Sequence, residues 1–174
     1  MHNGRVISDE NPFLPDEGDR DPNRRFRGRL AAPVTIVTAG TGSSATGLTV
    51  SSLFVIEGDP GLVTLLVGPI SDLWDALASS GRCVVHVLPA SDRGLADVFA
   101  GIRPSPGGMF AGLDVSDSDW GPVIASLRDR AYCRVQTMDE TGWSGVVTAA
   151  IERVEIADLD DPLVYFRGGY RRLA

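Results

Sequence analysis

Lysine is missing altogether: every one of the 16 basic residues is arginine. That removes Schiff-base and pyridoxal-phosphate chemistry, a P-loop lysine and a lysine general base. Histidine is nearly missing too. His2 sits beside the initiator Met1 and leaves His86 alone for imidazole chemistry, so a Ser-His-Asp relay would have to run through that one ring. The two cysteines, Cys83 and Cys133, form no CxxC pair. A disulfide scaffold and a metal site such as zinc both lack the ligands they need, and two reduced, packed thiols are expected. No apolar run reaches the roughly 20 residues of a spanning helix before Gly, Pro or Asp interrupts it. The N-terminal MHNGRVISDENPFLPDEGDRDPNRR has no apolar signal-peptide core. A soluble, cytoplasmic protein without membrane contact is expected. Acidic residues number 23 against those 16 arginines, for a formal charge of −7, which disfavours nucleic acid and anionic membranes but not a small anion in a local pocket.

What is present is one domain's worth of chain, 174 residues with 43% hydrophobic, enough for a sizeable core. Residues 1–20 read as a flexible arm too polar to offset its own ordering, followed by a domain over 21–174. Asp21-Pro22 is a helix start, with a short helix through Phe26 and Leu30 stopped before Pro33. PVTIVTA (33–39), GLTVSSLFVI (47–56) and LVTLLVG (62–68) are β-rich runs separated by Gly and Asp-Pro-Gly turns, expected as three antiparallel strands. Ser71-Asp72 caps a helix closed by Gly81, with Leu73, Ala76 and Leu77 on its apolar face. CVVHVL (83–88) is a strand, SDRGLADVFAG (91–101) a helix with Leu95, Val98 and Phe99 inward, and residues 101–121 a long loop of the kind that is more often functional than idle. AYCRVQT (131–137) alternates with Ala131, Cys133 and Val135 on one face; GVVTAAIERVEI (145–156) and PLVYFRG (162–168) complete about seven strands. The fold class expected is mainly β, a small closed barrel with a few helices outside.

Four stretches carry candidate chemistry. Gly40-Thr-Gly42-Ser-Ser-Ala45 spells GxGxxA after a strand, but the β-branched run that follows makes no helix to meet a pyrophosphate, so it reads as a hairpin loop. Gly68-Pro69-Ile70-Ser71-Asp72 joins a strand to a helix start whose free amides suit an anion; a plain capping turn is the alternative, and the charge of Asp72 favours that. His86 interrupts an apolar strand, either as a hydrogen-bonded core residue or as a functional one. Tyr165, Phe166, Arg167, Tyr170, Arg171 and Arg172 form either a surface of cation–π pairs or a wall for a planar anion.

PVTIVTA, GLTVSSLFVIEGDPGLVTLLVG, ISDLWDALASSGRCVVHVLPASDRGLADVFAG and PLVYFRGGYRRL, taken in order, resemble the flavin reductase family with its FMN-binding split β-barrel, over about residues 26–173. The resemblance implies a homodimer binding FMN or FAD at the subunit interface. It also implies hydride transfer from NAD(P)H to the flavin, and in many members supply of reduced flavin to a partner monooxygenase. Thr49, Val50, Ser51, Ser52 and Leu53 resemble the strand along the isoalloxazine, and Gly68, Pro69, Ile70, Ser71 and Asp72 the loop nearest the flavin phosphate. His86 stands where the family usually has Asn, and Phe99 matches a family aromatic; Arg167 and Tyr170 join these as candidate flavin contacts. Where many reductases have Gly-Asp-His on the nicotinamide side, this chain has Met138-Asp139-Glu140, which suits a phosphate-bearing dinucleotide poorly. The chemistry asks for no catalytic acid, lysine or metal, because the flavin brings its own reactivity. Two other readings stay open: a flavin-binding protein with a different electron donor, and a flavin-free dimeric interaction domain that kept only the barrel.

Overall fold

The structure, a computed structural model, describes residues 21–173; the arm expected over 1–20 lies outside them. Helix α1 (Pro22–Arg27) starts at the anticipated Asp21-Pro22 and ends at Gly28, short of Leu30, with none of its residues buried. The strands follow as β1 (Ala32–Pro33), β2 (Thr35–Ala39), β3 (Thr46–Val50), β4 (Leu53–Ile56) and β5 (Leu62–Val67). Then come α2 (Asp72–Ser80), β6 (Arg82–Val87), α3 (Arg93–Phe99), β7 (Val115–Ser116) and β8 (Val123–Ile124). A long hairpin of β9 (Arg130–Thr141) and β10 (Ser144–Glu155) and a short one of β11 (Val164–Phe166) and β12 (Gly169–Arg171) finish the chain.

Seven strands form one antiparallel sheet in the order β3-β2-β6-β9-β10-β5-β4. Its edge strands, β3 and β4, are consecutive in the chain, joined only by Ser51 and Ser52. Laid flat, seven strands would set those edges roughly 29 Å apart at about 4.8 Å per spacing, whereas three Cα steps reach at most about 11 Å. The sheet therefore has to curl until its edges meet. They meet without a ladder of their own, and the barrel is split there; the Leu66 amide donating to the Ser52 carbonyl at 3.0 Å only carries the β4–β5 ladder one rung further, to the serine link. The single strand expected over 47–56 is thus two, because the chain changes neighbours at the serines, from β2 to β5.

β2 is buried along its whole length, its two faces serving two cores. Val37 and Ala39 point into the barrel with Val63, Leu65, Cys83, Cys133 and Val147. α2 packs into that same cluster through Leu73, Ala76 and Leu77, so it closes the barrel rather than decorating its outside. Burying one such Leu contributes about 2 kcal/mol. Val34 and Ile36 face a second core made with Leu88, Ala96, Phe99, Ile124 and Leu163. The long loop expected to be functional covers it through Met109, Phe110 and Leu113, Phe110 meeting Phe99 edge-on at 5.4 Å. The tail expected as one strand is a hairpin turning at Arg167 and Gly168, both at positive φ. Cys83 and Cys133 are Cα partners across β6 and β9, both free thiols; the hydrogen bond the Cys83 thiol gives to Cys133 and burial push it well above its usual range.

Candidate functional site

The β9–β10 hairpin and β5 run side by side, so the register fixes what stands at that end of the barrel. Gly145 is the Cα partner of Val67 on β5 and of Glu140 on β9. Immediately beyond Val67 comes the Gly68–Asp72 turn, and immediately before Gly145 comes the Thr141–Ser144 hairpin tip. Trp74 in the first turn of α2 lies against this row: a Cβ on Gly145 would sit 2.0 Å from its ring, so only glycine lets the helix come down there. Two motifs some 70 residues apart, the turn and Asp139-Glu140, are thereby brought to one rim. Ser51 and Ser52 adjoin it through the Ser52–Leu66 hydrogen bond.

Within the rim, hydrogen bonding separates what is committed from what is open. Ser71 caps α2 as expected: its Oγ accepts from the Trp74 amide at 3.3 Å and donates to the Gly68 carbonyl at 2.7 Å. A Cβ added at Gly68 would meet nothing within 4 Å, so the turn borders open space. The Thr49 hydroxyl donates to the Ala96 carbonyl at 2.7 Å and anchors α3. The hydroxyls of Ser51 and Ser52 are half-buried and make no hydrogen bond among the described residues. Val50 and Leu53 are buried barrel residues, leaving their backbone and the two serine hydroxyls as the polar groups of this stretch. That is a donor set suited to the edge of a polar heteroaromatic ring. Among the described residues no group of three or more His, Cys, Asp or Glu could hold a metal ion.

Other candidates lie elsewhere. His86 is fully buried between β2 and the segment after Gly121: Nδ1–H donates to the Ile36 carbonyl at 3.2 Å, and Nε2 accepts from the Ile124 amide at 3.3 Å. Burial drives its pKa down to about 4, helped by Arg130 and opposed by the Ile36 hydrogen bond. Both ring nitrogens are spent on backbone, which corrects the expectation of a flavin contact in favour of the core reading. Phe99 is likewise a core side chain, lying over Gly47 so closely that a Cβ there would be 2.7 Å away. Tyr170 stacks edge-on against Tyr165 with the Arg93 guanidinium 5.7 Å from its ring centre, and its hydroxyl is pushed up to about 12 by burial, then by Asp97 and Tyr165. Arg167 sits over Phe166 at the hairpin turn. Both belong to the β11–β12 hairpin of the β1-β11-β12 sheet over the second core, which shares no ladder with the rim. GxGxxA is the β2–β3 hairpin connection, with a single 3-10 turn at Gly42–Ser44.

Two rim residues, Trp143 and Trp74, had no sequence signal. Trp143 is almost fully exposed on the hairpin tip, at 95%, as is Ile70 on the turn, at 99%. An isolated apolar residue in a loop has no periodicity to betray it. Trp74 was hidden for the opposite reason, because it sits off the Leu73-Ala76-Leu77 face that its helix periodicity announces.

Comparison with known proteins gives this geometry a context. The reductase component of 4-hydroxyphenylacetate 3-monooxygenase from Thermus thermophilus is 31% identical over 145 residues, covering 83% of this chain and 91% of that protein. The FMN reductase (NADH) SmoA of Agrobacterium fabrum is 28% identical over 169 residues, 97% of this chain and 94% of its own. Among solved structures, the NADH:FAD oxidoreductase SgcE6 of Streptomyces globisporus, in complex with NAD and FAD fragments, superposes with a TM-score of 0.79 at 26% identity over 92% of this chain and 96% of that one. The flavin reductase like domain matches residues 27–174, almost all of what the barrel, its α2 plug and its outer sheet comprise, and the chain belongs to that family.

Proposed function

We propose that this protein is an NADH-dependent flavin reductase whose flavin lies along the seam at Ser51 and Ser52, with its phosphate at the Gly68–Asp72 turn. The observation that carries the reading is the pair of unpartnered, half-buried serine hydroxyls beside a turn that borders open space. Bound flavin would supply the redox chemistry, accepting a hydride from the reduced nicotinamide. The chain's part is to bind and orient. Backbone and hydroxyls over Thr49–Leu53 would hold the ring edge, and amides at the start of α2 would meet the phosphate. Asp139 and Glu140, both exposed, disfavour the additional phosphate of NADPH. The named relatives point the same way, since SmoA is an FMN reductase (NADH) and SgcE6 an NADH:FAD oxidoreductase.

Exposed Phe54 and Ile56 on one face of edge strand β4, with Leu66 on the same face of β5, support a homodimer, because such a patch is costly to leave in water. Relatives that are reductase components of monooxygenases support delivery of reduced flavin to a partner monooxygenase. Reduced Cys83 and Cys133 agree with a cytoplasmic protein whose domain spans 21–174. The test is a titration with FMN and FAD followed by an assay of NADH and NADPH oxidation with added flavin. Flavin-dependent NADH oxidation is expected; flavin binding without it would favour a flavoprotein with another donor, and no flavin binding would sink the reading.

A further inference from the structure

Two separate segments of this chain each carry charge of one sign only. Residues 22–30 hold four arginines, Arg24, Arg25, Arg27 and Arg29, and no acidic residue, in a protein of net charge −7. The C-terminal hairpin adds exposed Arg167 to the same surface, because its amide donates to the Gly28 carbonyl at 3.0 Å. Phe26 and Leu30 stand exposed among them, and α1 buries nothing. Six helical residues without a buried face are not self-sustaining in water, where isolated helices shorter than about 12 residues are marginal. Arginine around an exposed aromatic is the composition of an interface hot spot.

The rim is the complement. Residues 62–75 and 136–148 hold Asp72, Asp75, Asp139 and Glu140 and no arginine or histidine, with Ile70 and Trp143 exposed among them. Strand alternation sorts these acids. Glu140 shares a row with Gly145 and Val67, beneath Trp74, whereas Asp139 shares the outward row of Val146 and Leu66, on the same face as Phe54 and Ile56 of β4. A phosphate at the Gly68–Asp72 turn therefore has no cation within these two framing segments.

We propose that the Arg-rich surface of α1 in one copy packs against the acidic rim of a second copy, on its Asp139 side, and reciprocally. Each rim then receives its positive charge in trans. The inference rests on the homodimer proposed above and assigns that dimer its charged contact. A second copy is the occupant because an identical chain offers both halves of the match, charge against opposite charge and exposed apolar residues against exposed apolar residues. A two-fold axis then closes the pairing without an open end.

The experiment is sedimentation of three full-length proteins over a range of concentration and salt: the natural chain, the Arg24→Glu/Arg25→Glu/Arg27→Glu variant, and that variant with Asp139→Arg added. Because α1 buries nothing, the triple variant is expected to keep its fold, which circular dichroism checks. The dimer dissociation constant should rise about tenfold or more in the triple variant and fall back at least about threefold when Asp139→Arg is added. FMN affinity should follow the same course while riboflavin affinity stays put. A natural chain that stays monomeric, a dimer indifferent to the arginines, or a charge swap without recovery would overturn the contact. The readout is mass, so a chain that behaves as expected here but oxidises no NADH would overturn the proposed activity and leave this contact standing.

Discussion

The space between β2 and the segment after Gly121 and the rim around Gly68 are both built from polar residues on a β framework, yet they settle their polar groups in opposite ways. In the first, the Thr38 hydroxyl donates to the Pro122 carbonyl at 2.6 Å, while His86 uses both nitrogens. At the rim, two serine hydroxyls have no partner among the described residues, two large apolar side chains stand in water and four acids face no cation on their own segments. A region that satisfies its polar groups internally is there to hold shape; one that does not is prepared for something else. Substitutions in the first should therefore register in stability and those at the rim in binding.

The largest effect is expected at Gly121, whose φ is +124° and whose Cβ would lie 2.9 Å from the backbone of Ala39. Gly121→Ala combines left-handed strain with overpacking against a strand that cannot yield, and should cost about 4 kcal/mol in chemical denaturation. A loss below about 1 kcal/mol would mean this region is softer than its hydrogen bonds imply.

Next comes the pH dependence of the same region. His86 binds its proton only near pH 4 when folded, against about 6.5 when unfolded, so between those values the unfolded chain holds more protons and stability rises with pH. The histidine's contribution is complete above about pH 6.5 and is lost as the pH falls toward 4, a change of about 3 kcal/mol. In His86→Gln the difference in unfolding free energy between pH 7 and pH 4 should shrink by about that amount; an unchanged difference would remove His86 as its source.

At the rim, Ser71→Asp keeps a good N-cap and should alter stability by less than about 0.5 kcal/mol. It sets a charge against the flavin phosphate and should weaken FMN about tenfold while sparing riboflavin. Equal loss for both ligands would mean that the turn only packs. The smallest effect is expected from Glu140→His, which relieves repulsion toward the dinucleotide and supplies a donor: the KM for NADH should fall about fivefold, with FMN affinity unchanged. If the KM does not move, Glu140 does not face the nicotinamide.

Much of the framework was legible because its signals are local. Ser71 and Gly81 bracket α2, the alternation of Ala131, Cys133 and Val135 gives the inward face of β9, and the Gly/Asp-Pro punctuation separates the early strands. The order of motifs along the chain was enough for the family, since it needs no coordinates. What could not be read was adjacency. GLTVSSLFVI has one composition throughout, and nothing in it says that its first half pairs with β2 and its second with β5, because pairing is decided by the closure of a seven-stranded sheet. His86 looked the same in either role until the Ile36 carbonyl and the Ile124 amide arrived from 50 and 38 residues away. The residue types and their spacing determined the strands, the capped helix and the absence of lysine chemistry, all of which follow from backbone preference and side-chain inventory alone. Only the tertiary structure decided that α2 plugs the barrel, that the Gly68 turn and Asp139-Glu140 share a rim and that there Asp139 takes the outer face and Glu140 the inner, because those depend on which distant backbones the curled sheet sets side by side.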